Sequence, residues 1–411
     1  MNVGLVYDAD YPWDVRVWKT CVALSGRGHR VHLVCRNLAR RPPDELRDGI
    51  HLHRLRPRRD ARLDALASFP AFVNPVWIGR IAQVVQAHAV EVLLVRDLPL
   101  ALAAVVAGRR ARVPVVLDMA ENYPGMLRDV WRFERFRPQN VLVRNPALAR
   151  VVEWLAVRLV DHVLVVIEES RDRLLRAGVP AARVSIVRNT PVVELARFPS
   201  AWGEPPRDES RVTAVFVGGV EPMRGLAEAL GLLAAARRQA PALRLVVIGG
   251  GRWGPDLLAE ARRLGIAEHV ELRGRRDYQR ALFEVQGADI GLIPHRVTAH
   301  TNSTIPNKLF EYMLLAKPVV TTDLRPVRRI VDEVGCGLVY RTRDEGVAAL
   351  VRLQDAALRR VLGDRGRHAV LERYRWDRDG ATLVRAVEGS AAARAGARPA
   401  GLAAGAAPEA R

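Results

Sequence analysis

The chain has little lysine, little cysteine and no long apolar run, and each shortage removes a class of protein. Of 64 basic residues among 411, only Lys19, Lys308 and Lys317 are lysines. A formal charge of +19 ordinarily points to nucleic acid or an anionic membrane. Here arginine carries it throughout, beside abundant alanine, glycine and proline, the bias of a GC-rich genome, so nucleic acid is not expected as a partner. The net positive surface remains and suits phosphorylated small molecules or visits to an anionic lipid surface. Cys21, Cys35 and Cys336 are far apart with no C-x-x-C pair, against a disulfide framework or a cysteine-held metal. No apolar stretch nears the roughly 20 residues of a membrane span. The chain enters a strand at Val3 without a leader pattern before it. The expectation is a soluble, cytoplasmic protein, peripheral at the inner face of the membrane at most.

What is present is an alternation of short Val/Leu/Ile runs with helical stretches. Runs at 3–6, 31–35, 92–95, 115–117, 163–166 and 184–187 are continuous rather than alternating, as in parallel strands buried on both faces. Pro, Gly and charge cluster over 191–210, a linker pattern. The alternation restarts at 212–217, 243–248, 270–272, 290–293 and 319–321. A chain of this length suits two cores of about 150–200 residues. The fold class is therefore α/β, with two Rossmann-like parallel-sheet domains, 1–190 and 211–375, facing a central cleft at their carboxyl ends. A helix over 376–390 is expected to pack back on the first domain, and the Ala/Gly/Pro/Arg-rich 391–411 to be disordered.

Three glycine- or charge-bearing segments converge on that cleft. Pro306 precedes a helix opening at Asn307, so backbone N–H groups at Lys308, Leu309 and Phe310 would favour a phosphate. Lys308 adds a full charge, and Glu311, one turn on, can accept from ribose hydroxyls. An ordinary capped helix with a solvated Lys and Glu is the alternative. In the second segment, Gly218 and Gly219 end a strand and Arg224-Gly225 opens a helix. The glycines would allow close approach, and the arginine could fork onto a diphosphate; a tight turn with a surface arginine is the bland alternative. The third, Gly249-Gly-Gly251-Arg-Trp-Gly254, matches G-x-G-x-x-G, but sits on the domain's second strand, where a dinucleotide fingerprint would open its unit. Arg273-Gly274-Arg275 ends a further strand and could line a base. Asp8-Ala-Asp10 fits a D-x-D metal pattern by chance, and no metal is expected.

The ordered set of strand-Gly-Gly…Arg-Gly, the glycine-rich second strand, Leu-Arg-Gly, Ala-Asp-Ile-Gly-Leu-Ile-Pro and Pro-Asn-Lys-Leu-Phe-Glu-Tyr-Met…Lys-Pro-Val-Val resembles the donor domain of glycosyltransferase family 4, the retaining GT-B enzymes. Asp14-Val-Arg16-Val, Gly28-His-Arg-Val and Asn189-Thr-Pro extend the resemblance to about residues 1–390. It implies a nucleoside-diphosphate sugar as donor substrate, no cofactor, and a hydroxyl acceptor. Glu311 matches the second glutamate of the family's two-glutamate signature, on the ribose, and Arg224 the diphosphate-binding basic residue. Two slots depart. Ser303 stands where the first glutamate falls, leaving the sugar contact to a hydroxyl or backbone. Gly219 replaces the arginine often found there, so Arg224 and Lys308, with Arg16, would neutralise the phosphates.

On the first-domain side, many relatives resemble Asp-x-His-Glu where this chain reads Asp118-Met-Ala120-Glu121. Either Glu121 or Asp118 takes the histidine's part, or the departing phosphate accepts the acceptor's proton unaided; Asp118 as a turn cap is equally open. Arg96-Asp97 is a weaker candidate. Basic-aromatic stretches at 54–77 and 131–137 suit a lipid-linked acceptor and an anionic membrane, or simply amphipathic helices with aromatics turned inward. The leading function is hexosyl transfer, with a nucleotide-sugar epimerase or a non-catalytic nucleotide-sugar-binding protein as alternatives.

Overall fold

The computed structural model describes residues 1–12, 14–69, 72–134 and 144–396. Residues 135–137 of the second basic-aromatic stretch and 397–411 of the tail lie outside them. Two sheets form among the described residues. The first comprises β1 (Asn2–Val6), β2 (Arg30–Cys35), β3 (Asp44–Arg47), β4 (Ile50–Arg54), β5 (Val92–Arg96), β6 (Val115–Met119), β7 (His162–Val165) and β8 (Val184–Ile186), in the order β3-β4-β2-β1-β5-β6-β7-β8. Every pairing is parallel except β3 with β4. Strands β5 and β6 are buried along their whole length, as continuous apolar runs flanked by helices require.

The second sheet comprises β9 (Val212–Val217), β10 (Leu243–Ile248), β11 (Val270–Gly274), β12 (Ile290–Ile293), β13 (Val319–Thr322) and β14 (Gly337–Tyr340), all parallel, ordered β11-β10-β9-β12-β13-β14. Chain order reverses between β9 and β12. Ligands of doubly wound sheets bind beyond the carboxyl ends of the strands at such a reversal.

The hairpin β3–β4 was not expected. Its strands are short and β3 is polar, alternating exposed and half-buried residues as an edge does. Its turn was legible: Asp48-Gly49 sits between the paired Arg47 and Ile50, with φ of 51° and 77°, a two-residue turn that Asp-Gly favours.

The carboxyl-terminal helix, Trp376–Gly396, joins the first domain. Trp376 donates its backbone N–H to Pro191 O at 2.9 Å and its indole N–H to Lys19 O at 3.1 Å. Leu383, Val384 and Val387 share a core with Val3, Leu5 and Val17. Contrary to the expected disorder from 391, the helix runs on to Gly396. Ala391-Ala-Ala-Arg-Ala is strongly helix-forming, and Ala391 packs against the same core.

Candidate active site

Glycines set the shape of the second-domain face. A side chain at Gly225 (φ 70°) would place its Cβ 1.8 Å from Pro294 O, and one at Gly249 1.9 Å from Gly218 O. Gly251 would meet Val220 O at 2.1 Å. The approach to a ligand was expected at Gly218 and Gly219; at Gly225, Gly249 and Gly251 the bare Cα serves close approach of one loop to the next. The packed loops after β9, β10 and β11 then line a cleft cavity of about 800 Å³, with Tyr7, Asp14 and Trp18 of the first domain opposite.

The helix Asn307–Leu314 points its amino end at this reversal. Tyr312 holds it there: its hydroxyl donates to Val215 O and accepts from Val217 N–H, both at 3.1 Å. Leu309 and Phe310 face the core at 0% exposure, and the Leu309 N–H already bonds Pro306 O at 3.2 Å. The expected row of three free N–H groups is therefore shorter, and the side chains carry more of the chemistry. Asn307 lines the cavity, and its buried Oδ1 has no partner among the described residues.

Lys308 is buried with its Nζ 3.6 Å above the Phe216 ring and 3.2 Å from His295 Nε2. Gly218 leaves room for it, since a Cβ there would stand 3.2 Å from Nζ. Burial and then the charge of Arg224 push Lys308 well below the usual lysine range. Burial likewise holds His295 neutral, aided by Lys308 and Arg224. Arg224 is half-buried, with no hydrogen bond or ion pair to its guanidinium among the described residues. Three basic groups thus converge without a carboxylate in contact, an arrangement that favours an anion. Glu311 lies behind them, raised by burial, with the Tyr278 hydroxyl, which lines the cavity, as a neighbour that offsets part of that rise.

The first-domain side is different. Asp118 does not reach the cleft: Arg16 Nε and Nη2 bind its two oxygens at 2.8 and 2.6 Å, with both side chains almost fully buried. Arg16 further donates to Val187 O and Asn189 Oδ1. These two residues are therefore corrected from catalytic acid/base and phosphate ligand to a buried ion pair within the first domain. Asp97 is pushed up to about 7 by burial while accepting the Ala120 N–H at 3.0 Å.

Ser303 is also corrected. Its hydroxyl accepts from Asn122 Nδ2 at 2.9 Å and donates to Ala299 O at 2.7 Å, so it closes the domain interface instead of facing a sugar. Thr304 donates to Ala120 O beside it. Arg273 turns to the outer edge, pairing with Glu271 at 2.8 Å and Glu284 at 3.4 Å, and the Gly274 carbonyl takes the Gly249 N–H. Arg275, Asp277 and Tyr278 line the cavity in their place. Gly219 faces it unobstructed.

Glu121 does reach the interface, and meets a residue sequence reasoning missed. His300 Nε2 lies 2.7 Å from Glu121 Oε2, and its Nδ1 lies 3.4 Å from Asp129. Burial alone would lower this histidine, but the two carboxylates raise it to about 9, leaving an imidazolium. Burial raises Glu121; the His300 hydrogen bond and charge, with Arg224, bring it below the usual range. His295 and His300 follow β12 directly, so two histidines in a loop leaving the reversal point were the available signal.

Comparison with known proteins decides the family. Residues 14–190 match the glycosyl transferase 4-like domain, and residues 211–356 match glycosyl transferases group 1. The chain belongs to the group 1 glycosyltransferases. It is similar to the D-inositol 3-phosphate glycosyltransferase of Jonesia denitrificans, 27% identical over 48% of this chain and 50% of that protein. The chain thus matches only about half the length of that curated relative. Among solved structures, sucrose-phosphate synthase from Thermosynechococcus elongatus superposes with a TM-score of 0.75 at 16% identity, over 96% of this chain and 100% of that one. Anabaena HepE in complex with UDP-glucose gives 0.68 at 15%, over 95% and 100%. These two show the GT-B fold. These matches do not favour an epimerase. No described helix of this glycosyltransferase is long and apolar enough to cross a membrane.

Proposed function

We propose that this glycosyltransferase moves a hexosyl group from a nucleoside-diphosphate sugar to a hydroxyl with retention at the anomeric carbon. The observation that carries the reading is the convergence of Lys308, Arg224 and neutral His295 at the strand reversal with no carboxylate in contact. A bound diphosphate supplies the missing negative charge. Lys308 and Arg224 then stabilise the charge that grows on the leaving phosphate, the role a divalent cation plays in other transferases, so no metal is required. Ribose hydroxyls donate to Glu311, and Asn307 Oδ1 gains a donor. HepE, whose structure holds UDP-glucose, supports a nucleotide sugar as donor.

At the sugar end, the phosphate oxygen accepts the proton of the attacking hydroxyl, and Glu121 orients the incoming group while His300 fixes Glu121. Asp118 has no part. The acceptor face carries Leu63 and Leu66, exposed at 58% and 74%, beside Arg58, Arg59 and Arg62. An amphipathic, basic surface of this kind suits a lipid-linked acceptor at an anionic bilayer.

A thermal-shift screen of UDP, GDP and dTDP, followed by donor hydrolysis with the matching sugar, tests the donor. One nucleotide should raise the melting temperature, and Glu311→Ala should weaken its binding about 10- to 100-fold, the loss of one or two hydrogen bonds to a charged group. Unchanged affinity in Glu311→Ala would remove that residue from the site.

A further inference from the structure

Four of the chain's ten histidines gather far from the cleft, toward the amino ends of the first sheet. His32 lies on β2, His51 and His53 on β4, and His88 caps the helix Pro75–Ala87. We propose that His32, His53 and His88 form a binding site for one borderline divalent metal ion of the Zn²⁺ class, which ties β2, β4 and that helix together.

The nitrogens are already gathered. His32 Nδ1 and His53 Nε2 are 3.1 Å apart, and a ring nitrogen of His88 lies within 4.8 Å of both. Two imidazole nitrogens bound tetrahedrally to zinc at about 2.0–2.1 Å stand about 3.3–3.4 Å apart, so the first pair needs little movement. His53 is prepared for this role. Its Nδ1 sits 2.8 Å from Asp44 Oδ1, an acceptor only, which fixes the proton on Nδ1 and leaves the Nε2 lone pair pointing at His32. Arg80 in turn holds the same Asp44 oxygen at 2.6 Å. A carboxylate behind a histidine is the usual outer support of a metal ligand.

Access and a fourth position are also present: His32, His51 and His88 line an open concavity of about 660 Å³ with Asn2, Arg30 and Gln86. A plain N–H···N bond between His32 and His53 accounts for two rings. It leaves His88, stacked on His32 at 4.4 Å and tilted against His53 at 4.6 Å, with no hydrogen-bond partner on its ring among the described residues. Imidazole ligands favour Zn²⁺, Ni²⁺ or Cu²⁺ over Mg²⁺ or Ca²⁺.

The test uses the untagged full chain, stripped with EDTA and titrated with ZnCl₂ by calorimetry, with CoCl₂ as a spectroscopic probe. One equivalent should bind, with the intense visible absorption of tetrahedral cobalt and a raised melting temperature. His88→Ala, a change at a half-buried ring, should weaken binding at least tenfold without altering the melt in EDTA. Asp44→Asn should weaken it about 10- to 100-fold, and gives the same reading should His88→Ala fail to fold. Absence of saturable binding, a weak octahedral cobalt spectrum, or parent-like affinity in both variants would overturn the assignment.

Discussion

The two faces of the cleft hold their charges in opposite conditions. On the first domain, Arg16 and Asp118 bind each other through two hydrogen bonds, and Arg96 is 2.7 Å from Asp97. On the second, Lys308, Arg224 and His295 meet with no carboxylate hydrogen-bonded or ion-paired to them among the described residues, Glu311 and Glu121 acting only at longer range. A buried charge with its partner in place is architecture, and removing one member strands the other. A buried charge without one has its partner elsewhere, and a phosphate is the partner this cleft can admit.

The largest expected effect follows from the paired side. Arg16→Met leaves Asp118 buried and uncompensated and should lower stability by about 3–5 kcal/mol, read from urea unfolding. Lys308→Met should do the reverse. It removes a desolvated cation, so the unfolding midpoint should stay level or rise, while nucleotide affinity falls about 100-fold, roughly 2.7 kcal/mol. If Lys308→Met unfolded the chain and Arg16→Met spared it, the contrast between the two faces would be wrong.

Across the cleft, Glu121, His300 and Asp129 make a latch whose strength depends on pH. His300 titrates at about 9, above its ordinary 6.5. Its contribution is complete below about 6.5 and is lost as pH rises through about 9. Glu121, held low, adds stability above its ordinary 4.5 and loses it on acidification. Arg224 and neutral His295 also face the imidazolium, and neither supplies a negative charge to replace the carboxylates. Between pH 7 and 10 the His300 contribution should therefore fall by on the order of 2–3 kcal/mol, while the buried Lys19 and Lys317, lowered to about 7 and about 8, act in the opposite direction over the same range. The stability difference between the parent and His300→Gln should show that fall, shrinking as pH rises through about 9, which melting curves of both across the range would read.

Much of this fold was legible because parallel strands are continuous apolar runs: β5, β6, β9 and β10 announce themselves. The polar edge strand β3 and the half-buried β14 carry no such signal. In the site, Lys308 and Arg224 could be read because each adjoins a helix start after a glycine or proline turn. Asp118 and Arg16 misled for a physical reason: a strand's carboxyl end points its side chains toward the cleft or into the neighbouring layer, and one sequence cannot tell which. Their bond spans 102 positions. His300 was missed for the same cause, since its partners Glu121 and Asp129 belong to the other domain.

The smallest effect sharpens the comparison at its margin. Arg273 belongs to the cleft-bearing domain and carries a charge close in sequence to the cavity lining, yet its guanidinium bridges Glu271 and Glu284 at the sheet's outer edge. By the pairing rule it is architecture. Glu271 is half-exposed, and solvent screens that arm of the bridge; Glu284 keeps Arg276 at 2.7 Å when Arg273 is gone. Arg273→Ala should therefore change stability by less than about 1 kcal/mol and nucleotide affinity by less than about twofold. Isothermal titration of the preferred nucleotide reads this directly. A tenfold loss would mean that the guanidinium swings inward when the donor binds, and that an ion pair at the cleft's edge does not mark a charge as structural.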